Sequence, residues 1–399
     1  MIRTCKVKLG RAHKQEARLD EVLGLCCDLY NAALQQRIEA YKKQGISLSL
    51  YDQQKELTLL RGEDPEYQKL TATMTRLTAL DRLDKAFKGF FRRVKAGEKP
   101  GFPRYKGKDR FNTLIFDTAG WKIEGKKLII KIKGGPVVLN MRNKIFRQGE
   151  IKRLQIVNRA GRWWAHFLVD AGDVPEVKTS KNEVGIDVGL KDFAVLSTGE
   201  VIEHPKFLKQ NLEQIKELNR VLSRKKRGSN NRKKAKVKLA RAYDKIKNRR
   251  RNFICQTVAT LMEEHDGFAV EKLDIQGMLD KTQEPEGLGK KSARGIRRGI
   301  RDSAWGMFRA QLENKAEEAG FPVVAVDPKG TSQMCSACGY FVKKALKDRE
   351  HTCSACGLVI DRDLNAAINI LNKAKNDLGC RLAAGSTDGC VKGAEVSVT

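Results

Sequence analysis

The spacing of apolar positions divides the chain into stretches of different period. Cys5-Lys6-Val7-Lys8-Leu9 alternates and predicts a short strand. Leu19, Val22, Leu23, Cys26, Leu29, Tyr30, Ala33 and Leu34 then recur at the helical period and form one apolar face. A second helical stretch carries Leu70, Met74, Leu77, Leu80, Leu83, Phe87 and Phe90-Phe91, its aromatics read as core packing. Over residues 92–111, Gly and Pro break regular structure and basic residues alternate with Phe102, Tyr105 and Phe111, so a loop is expected. Strand-like runs follow at residues 114–116, 128–132, 154–157 and 163–169, with turns at Glu124-Gly125 and Ala160-Gly161; a small antiparallel barrel or sheet fits them. The polar stretch 173–182 marks a boundary.

The second half places acids where apolar residues belong. Asp187 sits inside Val184-Gly185-Ile186-Asp187-Val188, a strand followed by a hairpin through Phe193-Ala194-Val195-Leu196 and Val201-Ile202. Glu271 ends a second apolar strand, Gly267-Phe268-Ala269-Val270-Glu271. Asp361 and Asp363 open a helix whose Leu364, Ala367, Ile368 and Leu371 make one face. An ionised acid among apolar side chains costs several kcal/mol, about the scale of a buried unpaired charge, unless a partner or cation balances it. Three carboxylates brought together coexist ionised around cations, and Mg²⁺ suits an all-oxygen set. Two such ions can promote hydrolysis of a phosphodiester. Helical spacing leaves both Asp361 and Asp363 open, with Asp361 also suited to an N-cap.

Cysteine spacing adds a second metal. Cys335-x-x-Cys338 and Cys353-x-x-Cys356, each followed by Gly and separated by 14 residues, match a tetrahedral zinc site better than an iron–sulfur cluster or disulfides. Cys26 and Cys27 lie in an apolar helical pattern and are expected in the core.

Charge then points to a partner. The 399 residues carry 78 Lys and Arg against 48 Asp and Glu, a net +30, which asks for a polyanion; the 41% hydrophobic content excludes a disordered polycation. Residues 224–251 hold 15 of these cations in 28 positions, on two helices expected to join near Gly228-Ser229-Asn230-Asn231. Residues 290–301 are a further basic stretch. Nucleic-acid contacts are expected from Arg104, Tyr105 and Lys106 in the loop and from Lys225, Lys226, Arg227, Arg249 and Arg250 in the arm. No apolar run approaches the roughly 18 to 20 residues of a membrane span.

The ordered segments GIDVGL, FAVEKLD and DRDLNAAINIL, with the cysteine pairs between the last two and AFKGFFRRVKAGEKPGFPRYKG upstream, resemble the TnpB family of RNA-guided nucleases of insertion sequences, related to type V CRISPR effectors. The resemblance spans about residues 6–373. It implies a RuvC-like nuclease of the RNase H fold, with Asp187, Glu271 and Asp363 as catalytic Mg²⁺ (or Mn²⁺) ligands; the family pattern selects Asp363 over Asp361. It also implies a structural Zn²⁺ on Cys335, Cys338, Cys353 and Cys356 in an inserted zinc ribbon.

The fold class expected is therefore multidomain α+β: an N-terminal β-barrel with an inserted helical bundle, then an RNase H-like α/β domain with the zinc ribbon. The boundaries are 1–15 and 100–180 for a wedge-like barrel, 16–99 for the helical recognition insertion, 181–329 and 357–375 for the nuclease, 330–356 for the ribbon and 376–399 for a flexible tail. The expected activity is Mg-dependent hydrolysis of DNA, directed by a guide RNA from the transposon end and a target-adjacent motif, in a monomeric prokaryotic cytoplasmic protein acting on double-stranded DNA. The alternatives are a guide-dependent repressor that no longer cuts, or a strand-joining transposase using the same triad.

Overall fold

The computed structural model describes residues 1–68, 70–132, 134–143, 145, 149–280, 290–344 and 348–383. The chain forms two compact units, residues 1–173 and 174–399.

In the first unit, strand β1 (Ile2–Lys8) leads into the helix His13–Gln44, which buries the face read from the sequence, Cys26 and Cys27 included. Burial pushes the Cys26 thiol up to about 12, which keeps it protonated and unreactive. Strands β2 (Thr113–Phe116), β3 (Trp121–Glu124), β4 (Lys127–Ile130), β5 (Val137–Asn140), β6 (Glu150–Arg159) and β7 (Arg162–Asp170) follow. They make a four-stranded antiparallel sheet ordered β1-β7-β6-β2 and a separate three-stranded sheet β3-β4-β5. The expected barrel does not close among the described residues. The strands β3 to β5 are four residues each and pair only with one another, so the two sheets touch in register only at the Leu9–Met141 bridge. Their apolar sides share one core with the long helix.

The helical insertion holds one element the pattern hides. Leu50–Glu63 is a helix started by a capping box between Ser49 and Asp52, yet it buries only Gln53 and Leu57. The second expected helix is continuous in effect: Ala72–Thr75, a wide π turn Arg76–Leu80 and Asp81–Lys95. Its aromatics depart from expectation. Phe91 is 59% exposed, and Phe87 and Phe90 instead meet the loop residue Phe102 at ring distances of 5.7 and 5.3 Å. These contacts anchor the loop; further on, Asn31 pins the Lys106 backbone, accepting its N–H (2.8 Å) and donating to its carbonyl (2.9 Å). Arg104 and Tyr105 are left exposed between the two anchors.

The second unit is built on strands β8 (Glu183–Val188), β9 (Ala194–Leu196), β10 (Val201–Ile202), β11 (Gly267–Glu271) and β12 (Val323–Val326), ordered β10-β9-β8-β11-β12. β8, β11 and β12 run parallel, while β9 and β10 form the hairpin. The period of two sorts their residues. Val184, Ile186, Phe268 and Val270 point to a core shared with the helices Asn230–Glu264 and Trp305–Ala319. Gly185, Asp187, Ala269 and Glu271 therefore face the opposite side, where the helix Arg362–Ala383 packs through Ile370 and Ala374. The approach is close enough to require glycine at 185: a Cβ there would lie 2.2 Å from the Ala367 carbonyl oxygen. That helix continues through residues expected in a tail; residues 384–399 lie outside the described set. No described helix is long and apolar enough to cross a membrane.

Candidate nuclease centre

β8 and β11 are neighbours in parallel register, Ile186 opposite Val270, so the next residues along, Asp187 and Glu271, stand side by side at the carboxyl ends of their strands. That edge of a parallel sheet is where ligands bind in open α/β folds. The helix Arg362–Ala383 crosses the same face and brings in Asp363 from its first turn. The three carboxylates, distant by up to 176 positions in sequence (363 − 187), line one cavity of about 520 Å³. Asp361 is used otherwise: its carboxylate accepts from the Asp363 and Leu364 backbone N–H groups at 2.8 and 3.1 Å, capping the helix.

Electrostatics mark the place. Burial raises Asp187 well above the usual carboxylate range, with Glu271 and Asp363 adding repulsion and Arg362 opposing it. Burial also raises Glu271, against the lowering effects of Thr331 and Lys373. Asp363 is held by Arg362 through two hydrogen bonds to Oδ1 (2.8 and 2.9 Å) and faces Arg349 at 3.4 Å. Thr331 donates its hydroxyl to Glu271 at 2.7 Å. Thr331, Arg349 and Arg362 were not legible as site residues, since only the folded chain brings them there. An oxygen-only donor set with raised proton affinity fits hard divalent cations. The three carboxylates do not close to within 4.8 Å of one another as a single-ion cluster does, which leaves room between them.

The four predicted zinc ligands do form such a cluster. Their Sγ atoms lie within 4.8 Å of one another, with Cys335–Cys356 at 3.7 Å and Cys338–Cys353 at 3.5 Å. A tetrahedral ion with bonds of about 2.3 Å separates its sulfurs by about 3.8 Å, so the set fits a zinc-sized metal. Each knuckle turns on a left-handed glycine, Gly339 (φ 74°) and Gly357 (φ 75°). Backbone N–H groups of Cys356 and Ala355 lower the Cys353 thiol to about 6. The knuckles are tied to the carboxylate helix. Buried Asn365 accepts from Ser336 N–H (2.9 Å) and donates to the Met334 carbonyl (2.8 Å), and Asn369 donates to the Thr331 and Met334 carbonyls.

The basic arm forms two helices, Leu212–Ser223 and Asn230–Glu264, joined near Gly228 as expected. Lys225, Lys226, Arg227 and Arg249 are exposed. Arg250 is not placed with them: its guanidinium makes a two-pronged pair with the buried Asp302 (3.0 and 2.6 Å), whose carboxylate also accepts from Leu208 N–H. A side chain committed to a buried acid holds the fold rather than a phosphate.

Comparison with known proteins adds to this geometry. Residues 166–282 match the OrfB_IS605 family model, described as "Probable transposase", and residues 305–370 match the Cas12f1-like TNB domain. A Streptomyces pristinaespiralis protein, provisionally named an RNA-guided DNA endonuclease, is 29% identical over 374 residues, spanning 92% of this chain and 88% of its own. InsQ of Escherichia coli K12, with the same provisional name, is 28% identical over 387 residues, covering 94% and 93%. Among solved structures, the protein of a Cas12f1–sgRNA–target DNA complex superposes with a TM-score of 0.58 at 16% identity, over 90% of this chain and 83% of that one. The fold is thus the mixed α/β, multidomain class of Cas12-type effectors. Within that class, the chain belongs to the TnpB family.

Proposed function

We propose that the chain is an RNA-guided DNA endonuclease of an insertion sequence, hydrolysing DNA phosphodiesters at Asp187, Glu271 and Asp363 in an RNase H-like, RuvC-type domain. The observation that carries this reading is the meeting of those three carboxylates in one cavity, two of them at the ends of adjacent parallel strands. Asp187, Glu271 and Asp363 would hold Mg²⁺ or Mn²⁺, which when bound activates water and stabilises the leaving oxygen. Thr331 fixes one oxygen of Glu271 and leaves the other for the centre. Arg362 and Arg349 orient Asp363 and place positive charge where a scissile phosphate gathers negative charge. The four cysteines would hold a structural Zn²⁺ that shapes the loop without reacting.

In this reading the guide RNA comes from the transposon end and supplies target specificity by base pairing, the protein reading a short adjacent motif. The relatives' names and the net charge of +30 support it. The domain roles follow the expected boundaries, with the β-rich part wedge-like, residues 16–99 recognising nucleic acid, and residues 181–329 and 357–375 cutting. Arg104, Tyr105, Lys106, Lys225, Lys226, Arg227 and Arg249 contact the nucleic acids; Arg250 does not.

The test is to purify the chain with its copurifying RNA and supply a duplex library matching that RNA, with Mg²⁺. Linear, doubly cut products that vanish on chelation are expected. Joined strands would instead support the transposase reading, and target binding without cutting the repressor reading.

A further inference from the structure

Three strand ends of the first unit converge on a small cavity of about 100 Å³, and each contributes a cation. Lys8 ends β1, Arg142 follows β5 and Arg162 opens β7, with Arg11 on the turn toward the long helix. Main-chain bonds lock these ends together. Leu9 N–H donates to the Trp163 carbonyl (3.1 Å), Gly10 N–H to Asn140 (2.7 Å) and Arg142 N–H to Lys8 (2.9 Å). The cations are therefore held near one another by backbone geometry, not by chance rotamers.

The charge there is not balanced. Glu16 is the one acid lining the cavity among the described residues, and Arg11 takes it at 3.0 Å. No described ion pair engages Lys8, Arg142 or Arg162. Burial, with Arg162, Arg142 and Arg11 nearby, lowers the Lys8 ammonium from its ordinary value, the mark of like charges pressed together. A fold that fixes three unpaired cations around a hollow is complete only with an anion present. The hollow is far smaller than the roughly 300 to 1,000 Å³ of drug-sized ligand pockets, so one small anionic group fits and a whole nucleotide does not.

We propose that this cavity seats a single phosphate group of a bound nucleic-acid strand, gripped by Lys8, Arg142 and Arg162. The site rests on the reading of the chain as a nucleic-acid binder and adds a specific anchor at β1, β5 and β7, away from the loop and arm already named. A phosphodiester within the strand and a phosphate at its end share this chemistry.

The experiment uses the full chain and one single-stranded RNA sequence, prepared with a 5′-phosphate and with a 5′-hydroxyl, titrated at several NaCl concentrations. The double variant Arg142→Gln, Arg162→Gln is expected to bind about tenfold more weakly near 0.1 M salt, and its log–log salt slope to fall by about 1.4, at about 0.7 per lost phosphate contact on single strands. Loss confined to the 5′-phosphorylated RNA identifies a terminal phosphate; equal loss on both identifies an internal one. Melting without nucleic acid should be unchanged or raised, because repulsion is relieved, and Arg142→Lys, Arg162→Lys should keep the wild-type slope. Wild-type affinity and slope in the double variant overturn the proposal, as does lowered melting with no change in slope. A wild-type chain that binds no RNA at any salt overturns the nucleic-acid reading itself.

Discussion

Asp187→Ala is expected to lower DNA cleavage by at least about 10³-fold, which is about 4 kcal/mol of transition-state stabilisation at 1.36 kcal/mol per decade. Asp187 is flanked by Glu271 and faces the helix that carries Asp363, so no neighbouring group can take over its place. Glu271→Ala and Asp363→Ala should lose as much, while RNA binding and folding stay near wild type. The pH behaviour separates this role from a structural one. The folded-state affinity of Asp187 for its proton is raised, so its stabilising share is present while it is protonated and is lost as pH rises through the folded pKa. Metal-free wild-type protein should therefore melt lower as pH rises across that window, Asp187→Ala should not show the drop, and Mg²⁺ should restore the wild type. Cleavage by Asp187→Ala at the wild-type rate would remove Asp187 from the centre.

Cys353→Ser should release one equivalent of zinc and cut activity more than its distance from the chemistry suggests. Zinc at a closed thiolate site contributes directly to folding free energy, and a serine cannot replace a thiolate ligand. The consequence reaches the carboxylates through named bonds. Collapse of the knuckles frees Met334 and Ser336 from Asn365, which sits two residues after Asp363, and loosens Thr331, which holds Glu271. Each buried polar group left unpaired costs about 1 to 3 kcal/mol. A melting loss of several °C and a cleavage loss on the order of tenfold or more are expected, measured by metal content, calorimetry and product formation. Unchanged zinc content and melting would contradict the account.

The acids on β8 and β11 were legible because a charged residue inside an apolar, period-two run has few physical excuses. The cysteine knuckles were legible because their spacing is tied to one coordination geometry. Spacing could not separate Asp361 from Asp363, whereas the fold does, giving one the cap and the other the cavity. Thr331, Arg349 and Arg362 were hidden because a side chain's role there depends on a partner in another segment. Arg250 misled for the same reason, its acid Asp302 lying 52 positions away. The helix Leu50–Glu63 escaped the pattern because it presents so little apolar surface, held instead by its cap and by Gln53, which donates to the Ala33 carbonyl at 2.8 Å. The barrel was over-read: β-strand spacing reports alternation but not whether edge strands meet, and β3 to β5 are too short to extend the larger sheet.

The most direct measurement is anomalous diffraction from crystals of the chain soaked in Mn²⁺, which scatters where Mg²⁺ would sit. The account predicts manganese among the carboxylate oxygens of Asp187, Glu271 and Asp363, lost in the Asp187→Ala crystal. Manganese bound elsewhere, with those oxygens bare at concentrations that support cutting, would contradict it.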